Sequence, residues 1–232
     1  HDLVRRHLEW FRTDPPDVGT LTRRVLKRVD RGEDPFEAAR AVWEERGPEV
    51  SAGNGSVMYC APLGLAYAMR PDELLELAPR LSALTHYDER CRTAVLAVTL
   101  VASALVRGEE RVGAVRSVLE EVEDREGGEE LAYLVDAAGR ERAIDGPDQG
   151  FCLFTAGIGL QALVRFDRFE PALRYVVGLG GDADTNAAVA GALLGAAVGE
   201  NDLPADWLKR LRHADNIRAE AEALVPLVER PA

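Results

Sequence analysis

The chain has 232 residues, enough to bury a substantial core, and its 40 Asp and Glu against 28 Lys and Arg give a net charge of −12. With no basic stripe to neutralise phosphates, nucleic acid is excluded as a direct partner. No apolar run approaches the ~20 residues a bilayer requires; no secretory signal is visible, and Cys60, Cys91 and Cys152 are scattered without disulfide or zinc spacing, so a cytoplasmic protein without a membrane partner is expected.

Helices are predicted almost throughout. Val4, Leu8 and Phe11 fall on one helical face, as do Phe36, Ala39 and Trp43. Asp34-Pro35, Arg70-Pro71-Asp72-Glu73 and Leu203-Pro204-Ala205-Asp206 each place a proline in a first turn followed by acids, a helix-start pattern. Leu74, Leu75, Ala78 and Leu81 continue one of these with helical spacing, and residues 88–107 and 149–166 carry further long apolar helical patterns. No segment alternates convincingly as a strand, and aromatic residues make up only 6%, which favours tight helix packing over sandwiched sheets. The predicted fold is all-α: a compact helical bundle, with residues 1–232 as a single domain because no linker or composition break divides them.

Three segments carry candidate chemistry. The first, Ser51-Ala52-Gly53-Asn54-Gly55-Ser56-Val57-Met58, opens into a helix and offers backbone N–H groups that suit phosphate oxygens; equally it reads as a tight turn with Ser56 as N-cap. It lacks the Gly-Lys-Ser/Thr ending of a nucleoside-triphosphate loop. The second is Leu84-Thr85-His86-Tyr87-Asp88, where His86 reads as a helix-entry residue with Asp88 as cap. The third is Gly180-Gly181-Asp182-Ala183-Asp184-Thr185-Asn186. Its glycines mark a sharp bend, and its two carboxylates and hydroxyl, with no His or Cys nearby, suit a hard cation such as magnesium or manganese. The plainer alternative makes Asp184 an N-cap and Asp182 a loop acid. The small-residue helix that follows places Gly191, Gly195 and Gly199 on one face. Each glycine costs about 1 kcal/mol against alanine, so close approach of neighbouring helices is expected to compensate.

Gly-Gly-Asp-Ala-Asp-Thr-Asn followed by Gly-Ala-Leu-Leu-Gly-Ala resembles the C-terminal signature of the ADP-ribosylglycohydrolases. The Gly53-Asn54-Gly55 loop leading into Ala61-Pro62-Leu63-Gly64 and the Thr85-His86 segment resemble two further motifs of that family, in the expected order. Weaker likeness extends to Trp10-Phe11-Arg12, Gln149-Gly150-Phe151 and Phe169-Glu170-Pro171-Ala172-Leu173. The resemblance implies an all-helical fold and hydrolysis of the bond between ADP-ribose and a protein side chain, usually arginine or serine. It further implies that Asp182, Asp184 and Thr185 hold magnesium (or manganese), two ions in a complete site. Ser51, Gly53, Asn54 and Gly55 would cradle the diphosphate and adjoining ribose of ADP-ribose, with Met58 close by and His86 in contact. The partner implied is an ADP-ribosylated protein or ADP-ribose itself.

Two departures bear on this. Tyr59 stands where the family often has arginine, and Ala183 where threonine is frequent. The family's upstream Thr-Asp-Asp motif, which supplies the other metal ligands, has no counterpart here: Thr13-Asp14 runs into Pro15-Pro16, and Asp30, Glu33 and Asp34 are too loosely spaced. Because the chain begins with His1, it reads as a fragment lacking an N-terminal segment or as a family member that has lost half its site. No catalytic acid or base is assigned, since the resemblance implies that a group from the absent segment completes the chemistry. The competing reading is a non-catalytic ADP-ribose-binding or structural protein on the same scaffold.

Overall fold

The computed structural model describes residues 2–137 and 148–228; His1 lies outside the described residues. Among them there is no strand, and one antiparallel bridge pairs Gly53 with Phe151. The amino-terminal part is a helical layer of α1 (Asp2–Arg12), α2 (Thr20–Val29) and α3 (Pro35–Arg46). Leu21, Val25 and Val29 of α2 and Ala38, Ala39 and Val42 of α3 form its small core, against which Val4 and Leu8 of α1 pack as their spacing predicts. Asp34 caps α3, accepting from the N–H groups of Phe36 at 2.9 Å and Glu37 at 3.2 Å, contacts worth about 1 kcal/mol in a typical helix.

The larger core is built around one helix that is apolar on every side. After α4 (Gly55–Met58), α5 (Ala61–Ala66) and α6 (Pro71–Ala83) comes α7 (Glu89–Val106), buried continuously from Thr93 to Leu105. Such all-round hydrophobicity without the length of a membrane span marks a central helix of a globular core, and no helix among the described residues is long and apolar enough to cross a membrane. Around it lie α8 (Arg111–Val122), α9 (Gly128–Ala137), α10 (Cys152–Arg165), α11 (Phe169–Gly178) and α12 (Ala183–Val198). The chain continues through α13 (Ala205–Arg210) to α14 (Ala214–Val228), whose residues are all at least partly exposed. Pro204 precedes the first turn of α13 instead of lying in it.

The glycine face of α12 does not do what its spacing predicts. A Cβ on Gly195 would meet nothing within 4 Å, one on Gly191 would make ordinary contact with Leu173 Cδ1 at 3.7 Å, and Gly199 ends the helix at φ +76°. The close approach is made from the other side. A Cβ on Gly159 of α10 would lie 3.0 Å from Val189 Cγ1 of α12, so the small residue that admits α12 belongs to its neighbour.

Candidate functional site

Two loops that are far apart in sequence are clamped together at the base of a cleft. Asn54 donates its N–H to the Gly150 carbonyl at 2.9 Å, and Cys152 donates to the Ala52 carbonyl at 3.0 Å. This pairing uses the Asn54 N–H, so the loop offers fewer free backbone donors than its sequence suggests. Ser56 is not an N-cap: it lies inside α4, and its buried hydroxyl bonds Ser82 Oγ at 2.9 Å.

The Asn54 side chain reaches the third motif. Its amide donates to Asp182 Oδ2 at 2.7 Å and to Thr155 Oγ1 at 2.9 Å, and Thr155 in turn donates to Asn186 Oδ1 at 2.8 Å. Thr155 and Asn186 are fully buried, so the hydrogen bonds joining them replace contacts with water. Asp182 stands at the N-cap position of α12 without capping it, because its carboxylate is turned to Asn54. Gly180 and Gly181, at φ +79° and +64°, provide the bend that allows this. Asp184 is not the cap either. It lies exposed in the first turn, where it accepts the Thr185 N–H at 3.0 Å. A hydrogen bond from Asp182, and then that N–H, hold its carboxyl below the usual range.

The opposite wall explains the second glycine of the Gly-Asn-Gly pattern. His86 is buried, with its ring packed against the loop: a Cβ on Gly55 would fall 2.8 Å from His86 Cε1 and 2.9 Å from Nε2. Glycine is required there by the imidazole and not by a turn. His86 Nδ1 shares a hydrogen bond of 2.9 Å with Thr85 Oγ1, and burial pushes the pKa of the imidazole down to about 4, so the ring is neutral at pH 7. Asp88 caps α7 as its position predicts. Burial alone would raise its pKa, yet contacts from Arg90 and from Trp43 Nε1, at 2.9 Å, bring it below the ordinary value.

These groups line one cleft of about 1040 Å³. Gly53, Asn54, Gly55, Met58, His86, Asp182, Asp184 and Thr185 all face it, and Met58 Sδ comes within 4.0 Å of the Thr185 hydroxyl. Ser51 is not brought there; it is buried, and its hydroxyl donates to the Gly47 carbonyl at 2.6 Å, closing the turn behind the loop. Sequence reasoning gave no role to Thr155 or Asn186. The available signal was a threonine in an apolar helix start and the asparagine ending the Asp-Ala-Asp-Thr-Asn run.

For a cation, Asp182, Asp184 and Thr185 offer only oxygen donors, which fits magnesium: it is commonly held by one or two carboxylates with water and substrate oxygens completing its shell. Among the described residues no group of three or more His, Cys, Asp or Glu could hold a metal by itself.

A model of the ADP-ribosylglycohydrolase family matches residues 1–232. The ADP-ribosyl-[dinitrogen reductase] glycohydrolase of Rhodospirillum rubrum is 27% identical over 97% of this chain and 71% of its own length. The human ADP-ribosylhydrolase ARH3 is 28% identical over 89% of this chain and 66% of its own length. A solved structure described as an ADP-ribosylglycohydrolase-related protein complex matches with a TM-score of 0.78 and 33% identity, covering 98% of this chain and 74% of that one.

Proposed function

Because the chain belongs to the ADP-ribosylglycohydrolase family, we propose that its cleft binds ADP-ribose joined to a protein side chain and takes part in magnesium-dependent hydrolysis of that glycosidic bond. The supporting observation is the Asn54–Asp182 hydrogen bond, which joins the Gly53-Asn54-Gly55 loop and the acidic turn in one cleft. In that reaction the bond from the anomeric carbon to the side chain breaks, water adds its oxygen to that carbon, and the leaving group gains a proton. Asp182, Asp184 and Thr185 are the residues that would hold magnesium, which when bound supplies polarisation of the ribose hydroxyls and of the attacking water. Asn54 fixes the orientation of Asp182, Gly55 makes room for the His86 ring, and His86 gives a neutral polar edge to the wall. Arginine- and serine-linked ADP-ribose are both substrates to be tried.

The test is release of ADP-ribose from each substrate with magnesium, with manganese and after chelation. The expected result is activity that chelation abolishes and that Asp182→Ala removes. A second reading, ADP-ribose binding without turnover, is favoured by the lack of a self-sufficient metal cluster among the described residues. Thermal protection by ADP-ribose with no release under any of these conditions would establish that reading instead.

A further inference from the structure

Along the cleft wall, which Tyr59 itself helps to line, a short hydrogen-bond chain ends on His86. Tyr59 Oη and Thr85 Oγ1 are 3.2 Å apart, and Thr85 Oγ1 lies 2.9 Å from His86 Nδ1. The Tyr59 phenol is half-buried, with the His7 ring edge-on at 5.1 Å. The His86 backbone is locked as well: its N–H donates to the Ser82 carbonyl at 2.8 Å, and Ser82 Oγ donates to the His86 carbonyl at 3.3 Å. The other ring nitrogen, Nε2, lies beside Gly53 and Gly55, which with His86 line the cleft.

The direction of this chain follows from donor and acceptor supply. A phenol is a better donor and a poorer acceptor than an aliphatic hydroxyl, so Tyr59 donates to Thr85. Thr85, itself buried, then has one proton to place, and among the described residues His86 Nδ1 is the acceptor within reach. A neutral imidazole that accepts at Nδ1 carries its proton on Nε2. We propose that Tyr59 and Thr85 are positioning residues that hold neutral His86 in the Nε2–H tautomer, so that the ring presents a hydrogen-bond donor to a ligand oxygen in the cleft. An acceptor nitrogen at that place would repel the oxygens of a sugar diphosphate; a donor binds them. Only the identity of that ligand rests on the function proposed above.

Two-bond proton–nitrogen correlation spectra of the ligand-free protein at pH 7 read the tautomer directly, with His86→Gln identifying the signal. The expected pattern has Nε2 protonated and Nδ1 bare. Tyr59→Phe should give a mixture of tautomers, as should Thr85→Val, while Thr85→Ser should keep the original pattern. A proton on Nδ1 in the unaltered protein overturns the proposal, and so does a Tyr59→Phe spectrum identical to it. In a parallel titration, Tyr59→Phe should weaken ADP-ribose binding about three- to tenfold, the range for one intramolecular hydrogen bond; equal affinity overturns the link from tautomer to ligand. If the unaltered protein binds no ADP-ribose while its spectrum shows the Nε2–H form, the ligand assignment fails and the tautomer assignment stands.

Discussion

Asn54 and Asp182, 128 positions apart in the chain, meet through a hydrogen bond of 2.7 Å. The same amide group also holds Thr155 at 2.9 Å, so one side chain fixes the turn before α12 relative to both α4 and α10. The acidic turn is therefore bent by its own glycines and aimed by a neighbour from another segment.

Replacing Asn54 with alanine should accordingly act on structure and site together. Thr155 and Asn186 stay buried without the donor that ends their chain, and the predicted loss is about 1–3 kcal/mol of stability in urea unfolding. Asn54→Asp should be worse, because it sets a second carboxylate against Asp182. An unchanged unfolding midpoint for Asn54→Ala would mean that water replaces the amide at no cost.

Glycines in the two motifs should respond in opposite senses. Gly55→Ala drives a Cβ into the His86 ring and should reduce both stability and ADP-ribose affinity, read by thermal shift with and without ligand. Gly195→Ala enters open space on a helix and should stabilise the protein by up to about 1 kcal/mol through helix propensity.

Acid should weaken the fold through His86. Its pKa in the folded protein is about 4, against 6.5 for the ordinary group, so between these values the unfolded chain binds the proton and the folded one does not. The stability associated with neutral His86 is complete above pH 6.5 and is lost as pH falls toward 4. Going from pH 7 to pH 5, the unaltered protein should lose about 2 kcal/mol more than His86→Gln, as measured by urea unfolding at both values.

Metal binding by this chain should be weak, on the order of millimolar for magnesium or manganese by calorimetry, since two carboxylates and a hydroxyl leave much of a six-coordinate shell to water. Asp184→Asn should lower it further without unfolding the protein, because Asp184 is exposed and its contacts are confined to its own turn, with Asp182 and the Thr185 N–H. Tight binding of two ions would require ligands other than Asp182, Asp184 and Thr185.

The long helices were legible because their signals are local. Proline and acid mark the starts of α3 and α6, and the unbroken apolar run of α7 could only belong to a core. Of the residues that motif assigned to a site, all but Ser51 line the cleft, whereas much of its remaining lining, such as Arg6, Thr22, Arg46 and Asp148, carries no motif. What the sequence concealed was partnership. Ser56 has the right type and place for a cap, but Ser82, from another helix, claims its hydroxyl. The glycines of α12 were read as a packing face, yet whether a missing Cβ is filled by a neighbour depends on α10 and α11, which spacing within α12 cannot report. Thr155 is chemically ordinary until Asn54 and Asn186 reach it.

The Asn54–Thr155–Asn186 chain also has a kinetic meaning. Helices such as α7 can form early from nearby contacts, whereas bonds spanning 101 and 128 positions must wait until the chain has closed long loops. The cleft is thus expected to form after the helices, which low φ-values for substitutions at Asn54 would bear out.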